Sequence, residues 1–144
     1  MMVRREAMEQ VGLLDEDYFL FLEETDWCYR MKRAGWSVYH VPGAEVSHFQ
    51  GRSAGKDKKR AKLEYYYSRY HFFKKNKGKL QWFLLLVGLM IRLSFELGFT
   101  GLTCIFTLFV FEKSRRRFSN LAYLMGWHMR GCPGGMGLKN INMQ

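Results

Sequence analysis

Tyr18-Phe19-Leu20-Phe21-Leu22-Glu23-Glu24-Thr25-Asp26-Trp27-Cys28-Tyr29-Arg30 sets three carboxylates within four positions, directly after a run of aromatic and aliphatic residues. Acidic groups are thus presented at the end of an apolar segment. Thr25 or Asp26 can cap a helix here, because Trp27, Arg30, Met31 and Ala34 follow at helical spacing. Arg30, Lys32 and Arg33 load its last turn, where cations suit the helix dipole, and Gly35 stands where a left-handed residue ends a helix. Upstream, Arg4 to Val11 has helical spacing and Gly12 stops it, while Met1-Met2-Val3 suits the end of a strand. Leu13 to Asp17 reads as a polar loop, and Tyr18 to Leu22 as a strand or the base of a loop. Downstream, Trp36 to Val41 reads as a strand closed by Pro42-Gly43. Ala44 to Phe49 is a second extended piece that delivers His48 to its end. The expected fold class is α/β.

The acidic cluster has two readings. Carboxylates at a helix start are stabilised by free N–H groups and the dipole, typically by about 0.3–1 kcal/mol each. Alternatively, one carboxylate crowded by like charges and by Phe19, Phe21 and Trp27 has a raised proton affinity, as a general base requires. Asp15-Glu16-Asp17 matches the D-x-D pattern that holds a divalent ion against a diphosphate, although three acids in a surface loop are also a common composition.

With 144 residues the chain is expected to be one domain whose charge is split. Residues 1–50 hold five Lys/Arg and nine Asp/Glu, a balance of −4, whereas residues 51–144 hold 18 and four, a balance of +14, giving +10 in all. Cys28, Cys104 and Cys132 are odd in number, widely spaced and without a CxxC, so they read as reduced thiols of an intracellular protein. Met1 to Gln10 is charged and has no apolar core, so no signal peptide is expected there.

Residues 51–79 form a basic connector, with 11 Lys/Arg against Asp57 and Glu64. Tyr66, Tyr70 and Phe73 fall with Leu63 on one helix face, leaving Arg69, Lys74 and Lys75 outward. That spacing explains the tyrosines without base stacking, so an anionic membrane surface is expected as partner rather than nucleic acid. Residues 80–111 divide into an apolar piece from Gln81 to Ile91 and an uncharged one from Leu97 to Phe111, with Arg92 and Glu96 able to pair between them. Basic residues flank both ends, which places both on the cytoplasmic side. A re-entrant hairpin or two in-plane helices satisfy that condition, a single crossing does not, and a buried soluble hairpin is the rival. The tail has an amphipathic piece around Leu121 to Met129, then a glycine-rich stretch at 131–137 that lacks the setting of a phosphate loop and reads as a flexible terminus.

As an ordered series, Val3-Arg4-Arg5, Gly12-Leu13-Leu14-Asp15-Glu16, Tyr18 to Arg30, Lys32-Arg33-Ala34-Gly35-Trp36, Val41-Pro42, Val46-Ser47-His48, Tyr65 to Tyr70 and Phe72 to Asn76 resemble the inverting family-2 glycosyltransferases of the GT-A fold. The similarity is particularly to the bacterial rhamnosyltransferase-like and galactofuranosyltransferase-like members. The resemblance covers about the first 75 residues.

It implies transfer of a sugar from a nucleotide-sugar donor to a lipid-linked or polysaccharide acceptor, with inversion, at the cytoplasmic face of a bacterial membrane. Glu24 holds the position of the family's base, where Asp is usual, with Glu23 or Asp26 able to share the role. His48 would complete a divalent metal site for Mg²⁺ or Mn²⁺, and Arg52 would neutralise leaving-group charge. Trp27, Arg30 and Asp15 are the expected substrate-binding residues. The nucleotide-binding βαβ half with its D-x-D has no counterpart in these residues, so the chain is expected to be a C-terminal portion, inactive alone, of a fragmented or split enzyme. The divisions are 1–52 (partial GT-A domain), 53–79 (connector), 80–117 (apolar hairpin or interfacial helices) and 118–144 (amphipathic piece and tail). The alternative class is a non-catalytic membrane adaptor.

Overall fold

In a computed structural model, residues 1–47 and 57–138 are described, and they form five helices: α1 (Arg5–Val11), α2 (Glu23–Arg33), α3 (Lys58–Asn76), α4 (Lys79–Phe106) and α5 (Glu112–Met129). The N-terminal pair ends as the sequence dictates. Gly12 (φ 78°) closes α1, and α2 ends where Trp36 N–H reaches Met31 C=O at 3.0 Å and Gly35 N–H reaches Lys32 C=O at 3.2 Å. Gly35, at φ 89°, supplies the left-handed residue that this double closure requires.

Among the described residues there is no strand, so the expected α/β architecture is not seen. Val38, Tyr39, Val41 and Val46 have the side chains of a strand, yet they are 44%, 80%, 61% and 85% exposed. A strand exists through its ladder partner, and these segments have none within the described residues. The opening Met1 and Met2 are likewise exposed coil, and Tyr18 to Leu22 is a loop.

α3, α4 and α5 share the apolar core. Leu63, Tyr70, Leu93, Leu121, Leu124 and Trp127 are its buried members, with Tyr66, Trp82, Leu89 and Leu97 packed around them. Trp127 stacks on Tyr70 at 6.2 Å between ring centroids. His128 joins them: its Nδ1 lies 2.8 Å from Leu124 C=O, so that nitrogen carries the proton and Nε2 accepts from the Tyr70 hydroxyl at 2.7 Å. Burial holds the imidazole below its ordinary pKa, outweighing the opposing pull of the Leu124 carbonyl, and keeps it neutral.

Two expectations about the C-terminal half change. The break foreseen between residues 91 and 97 is absent, because α4 runs unbroken through Arg92 and Glu96, whose 2.8 Å pair bridges one helical turn. The chain reverses later, at residues 107–111, where Leu108 and Phe109 take left-handed conformations and α5 returns along α4. The glycine-rich stretch, as far as residue 138, is held rather than loose. Trp127 Nε1 donates to Pro133 C=O at 3.1 Å, and Glu64 accepts from Leu138 N–H at 3.0 Å. A side chain at Gly137 would place Cβ 2.0 Å from Glu64 Oε2, so that position admits only glycine without displacing the carboxylate.

α3 is the spine between the two ends of the molecule. Its Leu63/Tyr66/Tyr70 side faces α4 and α5, while Ser68, His71, Phe72 and Lys75 face the N-terminal segment. Ser68 Oγ donates to Leu20 C=O at 2.9 Å, Tyr18 meets His71 edge to face at 4.9 Å, and Tyr29 meets Phe72 at 5.6 Å.

Candidate functional site

Glu23 and Glu24 open α2 after two consecutive left-handed residues, Phe21 (φ 73°) and Leu22 (φ 68°). Neither residue is glycine, so the turn is strained, at a cost of order 1–3 kcal/mol per residue. Leu22 occupies the N-cap position and no side chain caps the helix, although all three acids lie in its first turn, where the dipole favours them. The pair of glutamates is therefore fixed by backbone geometry rather than by capping bonds.

The three acids differ in their surroundings. Asp26 is fully buried and saturated. Its Oδ1 accepts from Asn76 Nδ2 at 2.7 Å and from the Tyr18 hydroxyl at 3.4 Å, while Oδ2 accepts from Arg30 Nε and Lys75 Nζ, both at 2.9 Å. Burial pushes its carboxyl up, but the bonds from Asn76, Lys75 and Arg30 together outweigh that and hold it below the ordinary carboxylate range. Glu24 is exposed and has no hydrogen bond or ion pair among the described residues. Glu23 is half-buried, and its Oε2 is enclosed without a partner. Buried carboxylate oxygens are almost always bonded, so this one stands out chemically.

Arg30 and Trp27, expected to contact substrate, bind the chain itself. Arg30 donates to Val11 C=O and, at 2.6 Å, to Leu13 C=O, while Trp27 Nε1 donates to Gly12 C=O at 2.8 Å. Together they pin the turn that follows α1. Asp15 is engaged too: its Oδ1 accepts from Asp17 N–H at 2.9 Å and its Oδ2 from Lys75 Nζ at 2.5 Å. The Lys75 bond is the main reason its carboxyl lies below the ordinary range. Lys75 was expected to face outward; it bridges Asp15 and Asp26 instead. Burial lowers its pKa, yet the bonds to those two acids leave it raised on balance. Tyr18, buried beside Asp26 and Asp15, is pushed well above the usual phenol range, chiefly by desolvation. His48 and Arg52 lie outside the described residues.

Sequence reasoning missed His71, Lys75 and Asn76. The available signal was Ser68, His71 and Lys75 recurring at helical spacing on the side of α3 away from Leu63 and Tyr70. His71 Nε2 is enclosed, has no hydrogen-bond partner among the described residues, and lies 3.9 Å from Asp15 Oδ2 and 3.8 Å from Asp17 Oδ2. Among the described residues these three are the group whose ligand atoms all fall within 4.8 Å of one another. The donor set of two carboxylates and an imidazole suits a divalent transition metal, but the Lys75 ammonium already neutralises Asp15. Cys28, Cys104 and Cys132 are free thiols, and Cys104 is buried.

The family model described as "Glycosyltransferase like family 2" matches residues 1–66. Among curated proteins, the chain is 46% identical over 57 residues to an N-acetylglucosaminyl-diphospho-decaprenol L-rhamnosyltransferase of Mycobacterium tuberculosis, covering 40% of this chain and 19% of that protein. It is 36% identical over 50 residues to the dTDP-rhamnosyl transferase RfbF of Shigella flexneri, covering 35% of this chain and 17% of the relative. A low-salt glycan biosynthesis hexosyltransferase, Agl10 of Haloferax volcanii, is 32% identical over 50 residues, covering 35% and 16%. The match thus spans less than a fifth of the relatives' length. No solved structure matches the chain.

Proposed function

We propose that the Glu23–Glu24 pair is the acceptor-activating edge of a sugar-transfer site in a partial GT-A fold, a reading supported by the match of residues 1–66 to the family-2 glycosyltransferase model and by the similarity to rhamnosyltransferases. One observation carries this reading: of the three acids in the first turn of α2, only the glutamates retain carboxylate oxygens without partners among the described residues. Asp26 is a positioning residue that ties α2 to Lys75 and Asn76. Glu24, exposed and without a partner among the described residues, takes the proton from the acceptor hydroxyl as that oxygen bonds to the anomeric carbon of a nucleotide-sugar; the bond from that carbon to the diphosphate oxygen breaks, the nucleoside diphosphate leaves, and the configuration inverts in one displacement. The acceptor is a lipid-linked or polysaccharide glycan at the cytoplasmic face of a bacterial membrane.

His48 and Arg52 would stand near the diphosphate, the imidazole as a ligand to Mg²⁺ or Mn²⁺ and the guanidinium as a partner for leaving-group charge. The metal supplies Lewis-acid stabilisation of that charge when bound. Little transfer is expected from this chain alone, since no nucleotide-binding unit is among its described residues.

A chimera tests the assignment. The matched 57-residue stretch of the Mycobacterium tuberculosis relative is replaced by that of this chain, and transfer is assayed. Activity is expected to survive and then fall about 10²–10⁴-fold with Glu24→Gln, the usual contribution of a general base, with donor binding kept. Unchanged turnover in that variant would remove Glu24 from the role, and loss confined to Glu23→Gln would move the base by one residue. A non-catalytic membrane adaptor is the second reading, favoured by the large apolar surface of α4. A Mn²⁺ titration that perturbs His48 speaks for the enzyme, and its absence for the adaptor.

A further inference from the structure

Helix α4 carries one face that no other described residue covers. Phe83, Val87, Ile91, Phe95, Phe99 and Phe106 recur along it and are between 37% and 85% exposed. Gly88, Ser94 and Gly98 share the same arc, and no charged residue falls on it. The 107–111 turn extends the surface, with Leu108 and Val110 exposed at 84% and 75%. Soluble monomers rarely leave a continuous apolar patch beyond a few hundred Å² uncovered.

The rim of this face is cationic. Lys74, Lys77 and Lys79 stand at its start, and Lys113, Arg115 and Arg116 follow the turn at its end, all exposed. An uncharged, phenylalanine-rich stripe between two basic clusters is complementary to a lipid surface that carries anionic headgroups. A second copy of the chain fits less well, because joining two such faces brings like-charged rims together.

We propose that α4 lies in the plane of an anionic lipid surface, with its Phe83-to-Phe106 face immersed, and does not cross the bilayer. By length and hydropathy the 28-residue helix passes as a membrane span. Its neighbours exclude that orientation. α3 and α5 cover the opposite side, burying Leu93, Thr100 and Cys104. Midway along, Glu96 is held by Arg92 at 2.8 Å and approached by Arg117 of α5 at 3.8 Å. An upright α4 would carry these three charges and the basic start of α5 into hydrocarbon, where they are costly. Lying flat, the helix keeps them beside the headgroups and immerses only the uncharged arc. This inference is independent of the sugar-transfer reading.

The test uses the full chain with vesicles of phosphatidylcholine, alone or mixed with phosphatidylglycerol. Binding is expected to be at least about tenfold tighter to the anionic vesicles and to weaken with salt. The double variant Phe95→Asp/Phe99→Asp should lose most of it with unchanged circular dichroism, because both side chains point away from the core. A fluorophore placed in turn at positions 83, 95 and 106 is then quenched by lipids brominated at graded depths. One shallow depth at all three positions supports the proposal. Deep quenching at 95 between shallow ends would overturn it in favour of a crossing. Equal binding to neutral vesicles, or no binding together with a dimer that the double variant dissociates, would overturn it as well.

Discussion

The two ends of the molecule are held by different physics. The N-terminal unit, α1, α2 and the loop between them, buries few apolar side chains, chiefly Ala7, Tyr18 and Met31, and is fastened by charged and polar bonds around Asp26 and Arg30. The bundle of α3, α4 and α5 has a continuous apolar core around Trp127. Apolar burial is additive and tolerant of direction, whereas a buried ionic network stands or falls with each partner. The N-terminal unit, which lies within the segment matched to sugar transferases, is thus the end whose stability depends on individual polar partners.

Removing the centre of the bundle should have the largest effect. Trp127→Ala is expected to cost about 3–5 kcal/mol, a typical loss for a buried Trp, and to melt α3, α4 and α5 together. Thermal unfolding followed by circular dichroism reads this as one lost transition, and a small shift would mean that the bundle is not a cooperative unit. Asp26→Asn comes next. It removes the carboxylate paired with Arg30 and one of the two held by Lys75, which keeps Asp15; the loss of about 3–5 kcal/mol usual for breaking a buried pair falls to about 3 kcal/mol or less for these partly exposed cations. Hydrogen exchange should quicken in residues 5–33 while the bundle amides stay protected, and uniform quickening would refute the division.

The two ends should also part with pH. His128 has a depressed pKa in the fold, so the unfolded chain takes up a proton first as the pH drops. Its contribution is complete above about 6.5, the unfolded value, and declines as the pH falls from there towards the folded value. Asp26 and Asp15 are also depressed, but from 3.8, so their contribution is complete above that value and is lost only in stronger acid. Melting between pH 7 and 5 should therefore weaken the bundle while leaving the acidic network intact, and His128→Gln should flatten that slope. The smallest effect is expected from Glu9→Ala, whose partner Arg5 is 85% exposed. Any measurable loss of stability there would show that α1 depends on its own surface pair.

What was legible in the sequence was whatever is decided locally. Gly12 and Gly35 set the ends of α1 and α2 because left-handed geometry leaves glycine little competition. The acidic run was visible, but the division of labour within it was not. Asp26 is tied to α3 through Lys75 and Asn76, about 50 residues away, and no local pattern announces that meeting. Lys75 was read as an outward cation since lysines usually are. The strand at Trp36 to Val41 was inferred from β-branched and aromatic content, which reports suitability for a sheet rather than the presence of a neighbour. Arg92 and Glu96 looked like a break between two apolar helices, whereas charges four apart stitch one helix together.

The two-sided character of α3 makes its rotational phase a shared constraint. A residue inserted between Ser68 and His71 would turn everything beyond it by about 100°, because an α-helix advances 3.6 residues per turn. Leu63 and Tyr66 would still meet the bundle, but His71, Lys75 and Asn76 would swing away from Asp15 and Asp26. Residues 107–111 reverse the chain in a turn outside any helix and carry no such phase requirement. Length variation should accordingly be tolerated in that turn and rejected in α3, whose 19 residues act as a gauge setting the acidic turn against the helices behind it.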